Sequence, residues 1–308
     1  MIKVTRVRPD PPPRIRPVLD HEASAEIKAI YSELKTTLQV PWVGMITRAY
    51  ARYPTFFSTL WKGLREVRAS VPYVEAAMEL RYKVERDVRA LAPPSLGRTL
   101  RSIGYTEDEI RHLWEVFEIF SHGNNIYHPL VVTALVLLEG GELGSDQTSI
   151  ERFLGSHAPD VGVELVFMEV HHGTPGIRAL YDDIKETLGL PYVNSDYRAL
   201  ARWPSYLALA WQELKPVIGR PAYLAVVEAY HNRSVELCQE LPNPGRLEGA
   251  ALRRAATTDG SLEEVRDAVR LLIHNIPPLL VNMAFLRHQL LEETSPHADA
   301  PRRPTPKV

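Results

Sequence analysis

The chain has 308 residues, of which 45% are hydrophobic and 24% are charged, and its formal net charge is −2. This length allows one large or two medium domains, and the near-balanced charge provides no strong field for nucleic acid or for an anionic membrane. A single cysteine, Cys238, excludes an internal disulfide framework, a C-x-x-C redox pair and a cysteine-rich zinc site. The apolar runs are too short to span a bilayer and the basic first residues lack the apolar run of a signal peptide, so we expect a cytoplasmic protein.

Both ends of the chain are rich in proline. Residues 9–17 read Pro-Asp-Pro-Pro-Pro-Arg-Ile-Arg-Pro. Because proline lacks a backbone N–H and fixes φ, this run is incompatible with a helix and predicts an extended arm over residues 1–20. The polar, proline-rich residues 295–308 predict a disordered tail.

Between these ends the sequence is patterned as helices. Residues 24–38 and Glu75–Leu91 carry apolar side chains at helical spacing. Thr106-x-x-Glu109 and Ser261-x-x-Glu264 are capping-box patterns, each of which opens a further helix. A break is predicted after each of these, at Ser-His-Gly-Asn-Asn (121–125) and at Ile-Pro-Pro (276–278). Only residues 159–171 could hold a short β segment, so the predicted fold class is all-α.

The sequence contains an internal repeat. Residues 27–65 align with residues 177–215 at a constant offset of 150, and 15 of the 39 pairs are identical. This period is too long for a solenoid unit, which spans about 20–50 residues. We therefore predict two similar helical repeats that form an intrachain pseudo-dimer. The predicted segments are an extended arm (1–20), repeat 1 (21–141), an inter-repeat linker (142–174), repeat 2 (175–294) and the tail (295–308).

The two copies differ most just after a shared proline, where Gly-Met-Ile-Thr (44–47) is replaced by Asn-Ser-Asp-Tyr (194–197). An acid, Asp196, stands where its counterpart is Ile46. If the copies face each other, these loops line one cleft with an apolar and a polar wall, as in many small-molecule sites. The structural alternative is that Ser195 is a helix N-cap and Asp196 a first-turn acid stabilised by the helix dipole.

A second difference lies at Asn124 and Tyr127, whose counterparts at an offset of 155 are Leu279 and Asn282. The structural alternative for Gly-Asn-Asn (123–125) is a turn or helix cap. Trp42, which Tyr192 replaces in the second copy, is a pocket candidate, whereas the other aligned tryptophans are predicted to lie in the core.

Other charged and histidine positions have simpler interpretations. The matched pairs Arg48/Arg198 and Arg52/Arg202 are interpreted as salt bridges of the fold or of an interface, with carboxylate binding as the alternative. His171-His172 fits no standard metal-ligand spacing and is predicted to lie in a loop.

Three segments resemble the group I 2-haloacid dehalogenases, and the resemblance covers roughly residues 25–290. They are Leu-Gln-Val-Pro-Trp-Val (38–43), Gly-Asn-x-x-Tyr (123–127) and Ser-Asp-Tyr-Arg-Ala-Leu-Ala-Arg-Trp-Pro (195–204). The resemblance implies an all-α pseudo-dimer with its active site between the halves. It also implies hydrolysis of a 2-haloalkanoic acid to the 2-hydroxyalkanoic acid, with inversion and without a metal or organic cofactor.

Site residues follow from the resemblance position by position. It implies that Asp196 is the catalytic base, which activates water for attack on C2. It implies five substrate-binding positions, namely Trp42, Met45 (a phenylalanine in the family), Asn124, Tyr127 and Ser195. Aromatic residues expected around 273–285 are not clearly matched. Because the pocket wall differs from the family pattern, a non-catalytic or divergent binder of small organic acids is the alternative function.

The resemblance also bears on stereochemistry and partners. Family members carry either asparagine or alanine in the helix after the catalytic aspartate, and the presence of Ala208 and Ala210 without asparagine favours a D-preferring enzyme. The expected partner is a small halogenated carboxylic acid, with no nucleic acid or membrane. A homodimer is compatible with the sequence.

Overall fold

The computed structural model describes residues 2–144 and 150–291, so the tail predicted at 295–308 lies outside the described residues. The all-α class is confirmed, because the described residues form helices and no strand beyond an isolated bridge between Ser70 and Arg152. The short β segment considered at 159–171 is wrong, since these residues run without strand pairing into a 3₁₀ turn at Val170–His172.

The described residues contain thirteen α-helices and a further 3₁₀ turn at Val88–Leu91. The α-helices are α1 (Ala25–Thr37), α2 (Met45–Tyr50), α3 (Pro54–Gly63), α4 (Arg65–Arg68), α5 (Val71–Asp87), α6 (Gly97–Ser102), α7 (Glu107–Leu138), α8 (Pro175–Leu188), α9 (Ser195–Leu200), α10 (Pro204–Leu214), α11 (Pro221–Glu240), α12 (Gly249–Asp259) and α13 (Leu262–His288).

Helix starts follow the local sequence signals. Ser24 caps α1 by accepting a hydrogen bond from the backbone N–H of Ile27. The capping box of Thr106 and Glu109 is present at the start of α7, because each residue's side chain bonds the other's backbone N–H. Ser261 caps α13 by accepting a hydrogen bond from the backbone N–H of Glu264, which is one of the two bonds of a capping box. These caps satisfy backbone donors that have no partner inside the helix.

The breaks predicted at 121–125 and 276–278 are wrong. Helix α7 continues for 32 residues through Gly123 and Pro129, and α13 for 27 residues through Pro277 and Pro278. Glycine and proline each weaken a helix interior, by about 1 and 3 kcal/mol respectively. Helices α7 and α13 nevertheless form the most extensive helix–helix contact of the fold, and their second halves are almost wholly buried. Burying each large apolar side chain contributes about 1.5–3 kcal/mol, which outweighs the local cost.

The burial of α13 also explains its hydrophobicity. Among the described residues it is the one helix long and apolar enough to cross a membrane, and 83% of its most apolar stretch is buried inside the protein. Such a helix is typical of the core of a globular protein.

Several side-chain contacts recur at the offset of 150 residues. The Tyr31 hydroxyl donates to the Val18 carbonyl, and the Tyr181 hydroxyl donates to the Met168 carbonyl. The indole N–H of Trp61 in α3 donates to Glu33 in α1, and that of its counterpart Trp211 in α10 donates to Asp183 in α8. The repeated sequence positions therefore make repeated local contacts.

The salt-bridge interpretation is confirmed for one of the two matched arginine pairs. Arg48 pairs with Asp20 at 2.9 Å, and Arg198 pairs with Glu169 at 2.8 Å. Within the described residues neither Arg52 nor its counterpart forms an ion pair; instead, the counterpart, Arg202, lies over the ring of Trp203.

Candidate active site

The loops where the two copies differ lie directly before two short helices, α2 and α9. Asn194 is the N-cap of α9, and its side chain makes no capping hydrogen bond. The interpretation of Ser195 as the N-cap is therefore wrong, because Ser195 is the first helical residue. Its hydroxyl instead donates to Oδ2 of Asp196 at 3.1 Å.

Asp196 is buried, with only 1% of its surface exposed. Asn124 donates a hydrogen bond from Nδ2 to Oδ1 of Asp196 at 2.5 Å. Burial raises the pKa of Asp196 from 3.8 to about 6, because it disfavours the charged form, and the hydrogen bonds from Asn124 and Ser195 oppose this rise. A solvated first-turn acid would not be enclosed in this way. A carboxyl with a pKa near 6 is ionised at neutral pH and is suited to accept a proton.

Asn124 projects from the middle of α7, next to a close contact between Gly123 and Trp42. A Cβ atom at position 123 would lie 2.1 Å from Cη2 of Trp42, so only glycine leaves room for this indole ring. The ring also packs edge-on against Phe120, with centroids 5.1 Å apart. The Gly-Asn pair is therefore not a turn, because it lies inside the continuous helix α7. There it brings α7 against Trp42 and Asp196.

Tyr127 fixes the loop that carries Trp42. Its hydroxyl donates to the Trp42 carbonyl at 2.8 Å and accepts from the Gly44 backbone N–H at 3.2 Å. The side chain is 1% exposed, and burial raises its pKa well above the ordinary value. Because both bonds go to backbone groups, this geometry makes Tyr127 a support for the loop rather than a donor toward a substrate.

A cavity of about 330 Å³ lies at the start of α2 and α9. Three of the six site residues expected from the sequence, Trp42, Met45 and Ser195, line it. Asp196, Asn124 and Tyr127 do not line it, but hydrogen bonds join Ser195 to Asp196 and Asp196 to Asn124. The other lining residues are Leu19, Asp20, His21, Val43, Arg48, Phe167, Glu169 and Arg198.

Two ion pairs flank this cavity, and both of their arginines line it. Arg48 and Arg198 bring positive charge near the site, and each is balanced by an acid, Asp20 or Glu169. The charge of Arg198 also lowers the pKa of Asp196, although less than burial raises it.

A groove of about 1030 Å³ runs between α5, α11 and residues 151–155. None of the six expected residues lines this groove, and its polar wall consists of both acids and bases. We place the candidate site at the smaller cavity because the buried aspartate adjoins it there.

Sequence reasoning missed one polar group beside the site. Asn194 is 5% exposed, and its Oδ1 is buried without a hydrogen-bond partner among the described residues. Its counterpart in the first copy is Gly44, so the glycine-to-asparagine difference between the copies was the signal that could have found it.

The residues proposed from sequence as stereochemical markers do not reach the site. Ala208 is exposed and Ala210 is packed inside the protein, and neither lines the cavity. Phe285, an aromatic residue in the 273–285 stretch, is fully buried and also absent from the cavity wall. Within residues 2–144 and 150–291 no cluster of histidine, cysteine and acidic side chains could hold a metal ion.

Comparison with known proteins finds 2-haloacid dehalogenases. A family model described as "Halocarboxylic acid dehydrogenase DehI" matches residues 41–125. An (R)-2-haloacid dehalogenase of Rhizobium sp. (strain NHG3) is 37% identical over 255 residues, which cover 82% of this chain and 98% of that protein. A configuration-inverting 2-haloacid dehalogenase of Alcaligenes xylosoxydans xylosoxydans is 26% identical over 244 residues, covering 77% and 80% of the two chains.

A solved structure gives the same result for the fold. The structure of a D-2-haloacid dehalogenase complexed with L-LA superposes with a TM-score of 0.83 at 31% identity, covering 94% of this chain and 100% of that chain. The resemblance drawn from the sequence is thereby confirmed over nearly the whole chain. The chain belongs to the 2-haloacid dehalogenase family.

Proposed function

We propose that this protein hydrolyses 2-haloalkanoic acids to 2-hydroxyalkanoic acids, with Asp196 as the base that activates water. The observation that carries the proposal is a buried aspartate, hydrogen-bonded to Asn124 and Ser195, beside a cavity of about 330 Å³. Family membership supports the same reaction, because the relatives are named for it.

The reaction is a single displacement at C2. The water oxygen bonds to C2 while the halide leaves from the opposite side with the electron pair of the carbon–halogen bond, and one water proton passes to Asp196. Attack opposite to the leaving group inverts the configuration at C2. Asn124 and Ser195 hold the carboxylate by donating to its two oxygens, which orients its free lone pairs.

The remaining wall of the cavity supplies binding and water exclusion. The Trp42 indole N–H is the donor that we assign to the halide or the substrate carboxylate. Ser195 lines the cavity, and its single hydroxyl proton is given to Asp196. Met45 and Val43 form an apolar wall against C2 and its substituent. Arg48 and Arg198 attract the anionic substrate toward the cavity. Tyr127 contributes through the Trp42 loop that it holds.

We further propose a preference for D-, that is (R)-, 2-haloalkanoic acids. The support is the naming of the relative with 37% identity and of the solved relative as (R)- or D-specific enzymes. Ala208 and Ala210 no longer support it, because of their positions in α10.

We also propose that residues 21–141 and 175–294 are two repeats that form an intrachain pseudo-dimer, joined by the linker at 142–174. Reciprocal contacts between the two halves support this proposal. Arg8 lies against Gly189, and its counterpart at the offset of 150, Ala158, donates to Gln39, the counterpart of Gly189. Reciprocal contacts of this kind are what a twofold relation between the halves predicts.

We propose that the protein is cytoplasmic. Cys238 is buried and unpaired, which fits a reducing cytoplasm. Both walls of the cavity come from one chain, so catalysis does not require a homodimer.

Halide release tests the function. D- and L-2-chloropropionate and bromoacetate are incubated with wild type and with Asp196→Asn, and Asp182→Asn serves as the control because Asp182 is an exposed acid of α8 paired with Lys185. We expect release by wild type and by the control, faster from the D isomer, and none by Asp196→Asn. Retained release by Asp196→Asn would remove the assigned base.

Two further readouts separate the alternatives. Single-turnover hydrolysis in ¹⁸O-labelled water should place the label in the product during the first cycle, whereas label found first in Asp196 would indicate an ester intermediate. Binding of lactate or chloroacetate in a thermal-shift assay without halide release would favour the organic-acid binder, the alternative suggested by methionine at position 45.

A further inference from the structure

Three consecutive residues of α7 each contact a different element near the candidate site. Asn124 bonds Asp196, and Gly123 leaves room for Trp42. His122, one position earlier, has its Nε2 atom 3.2 Å from the Leu38 carbonyl oxygen. The proposed function explains the first two contacts and assigns nothing to His122.

The His122 imidazole is almost fully buried, with 2% of its surface exposed. Since a carbonyl oxygen only accepts, Nε2 must carry the proton and donate. Burial lowers the pKa of His122 to about 3, so the ring is neutral throughout the working range of the enzyme. The contact is therefore a fixed hydrogen bond and not a proton-transfer device.

Gln39 fixes the same turn from the opposite side. Its side chain accepts hydrogen bonds from the backbone of His157 and Ala158 and from the Ser156 hydroxyl, and it donates to the Gly155 carbonyl. Its φ is +49°, a left-handed conformation that is costly for a residue other than glycine.

The predicted inter-repeat linker also contacts His122. The His157 ring lies 5.1 Å from the His122 ring, and it too is buried. Between the end of α1 at Thr37 and the start of α2 at Met45, the chain is thus held by α7 on one side and by residues 155–158 on the other.

These anchors exist in one copy only. The counterpart of Gln39 is Gly189, with φ +64°, and the counterpart of His122 at the offset of 155 is Pro277. The first copy, which carries Trp42, thus contains a non-glycine residue at positive φ, Gln39, and a buried imidazole, His122. The second copy has neither at the matching positions. A difference of this kind is expected where a loop must be held for function rather than for the shared fold.

We infer that His122 and Gln39 are positioning residues of the candidate active site, because together they fix segment 38–42 against α7 and so set the position of the Trp42 ring. The inference rests on the proposed function for its effect on turnover. Its effect on Trp42 is structural and is measured separately.

The test compares His122→Leu, His122→Gln and a matched control, His231→Leu. Glutamine can place a donor near the position of the histidine Nε2, and leucine cannot. His231 makes the same kind of contact elsewhere: its buried Nε2 lies 2.7 Å from the Val4 carbonyl oxygen, in the N-terminal arm. Both leucine variants remove one buried imidazole–carbonyl bond, so their effects on stability should be similar.

Two measurements are made on each folded variant: kcat and KM for D-2-chloropropionate, and ¹⁹F NMR of protein labelled with 5-fluorotryptophan. The Trp42 resonance is assigned by its loss in Trp42→Phe. We expect His122→Leu to shift this resonance and to lower kcat/KM about 100-fold, the effect of misplacing a group by about 1 Å. His122→Gln should recover most of both, and His231→Leu should change neither.

Gln39→Gly provides a second variant if His122→Leu does not fold. Glycine relieves the positive φ and reproduces the residue of the second copy, but it removes the contacts to the linker. We expect a shifted Trp42 resonance without a large loss of stability.

The inference is overturned if the Trp42 resonance is unmoved in both His122→Leu and Gln39→Gly, or if His231→Leu moves it equally. If wild type releases no halide while the Trp42 resonance moves as expected, the proposed function fails and the positioning role stands.

Discussion

The side-chain nitrogen of Asn124 lies 2.5 Å from Oδ1 of Asp196, although 72 positions of chain separate the two residues. Asn124 is in the middle of α7 and Asp196 is in the first turn of α9. The amide N–H can only donate, so it favours the ionised carboxylate and opposes the effect of burial. This contact joins the half of the chain that carries Trp42 to the half that carries the acid.

The pH dependence of turnover follows from that environment. Because Asp196 must be ionised to accept a proton and burial raises its pKa to about 6, we expect kcat/KM to fall below about pH 6 and to be flat above it. Initial rates of halide release from pH 4 to 9 measure this. If kcat/KM instead falls only below about pH 4, the free enzyme does not bury its base as described.

Asp196→Asn should stabilise the fold at neutral pH. The native pKa exceeds the ordinary 3.8, so between about pH 4 and 6 the native state binds more protons than the unfolded state. Stability is therefore lost as pH rises through this window, and the loss persists above it. Removing the charge should raise the Tm relative to wild type at pH 8 and leave little difference at pH 4. Thermal unfolding of both proteins at the two pH values checks this, and a lower Tm of the variant at pH 8 would contradict it.

Gly123→Ala should displace Trp42. The new methyl group would lie 2.1 Å from Cη2 of the indole, and overpacking of this kind costs about 1–3 kcal/mol. We expect a lower free energy of unfolding by urea denaturation, together with a strong loss of halide release.

Gly176→Ala is the matched control, because Gly176 lies in α8 and the nearest atom to its added Cβ is 4.0 Å away. It should be neutral or stabilising. Combining Gly123→Ala with Trp42→Phe should recover stability without recovering activity. An unaltered Gly123→Ala enzyme would exclude the close contact.

Asn194→Ala tests the buried amide oxygen next to Ser195 that has no partner among the described residues. Since the buried Oδ1 of Asn194 has no partner among the described residues, its removal should cost little stability or even increase it. If the amide contacts the substrate, kcat/KM should fall while the Tm holds. Equal activity of wild type and variant on D-2-chloropropionate would show that Asn194 is not used.

Much of the fold was readable because local signals decide helix starts. Thr106 and Ser261 cap helices as their spacing predicts. The aligned tyrosines and tryptophans of the repeat make the same bonds in both copies. The predicted breaks at 121–125 and 276–278 failed because a local pattern contains no information on burial, and burial of α7 and α13 outweighs the weak helix propensity of glycine and proline.

The sequence by itself determined the helical class, the repeat of 150 residues and the acid that one copy has in place of isoleucine. Only the tertiary structure decided that Asp196 is enclosed with a raised pKa, that Tyr127 bonds backbone rather than facing the cavity, and that the buried Oδ1 of Asn194 has no hydrogen-bond partner among the described residues. The physical reason is that a side chain's type and spacing are local properties. Its solvation, its hydrogen-bond partners and the space around it are set by residues distant in the chain.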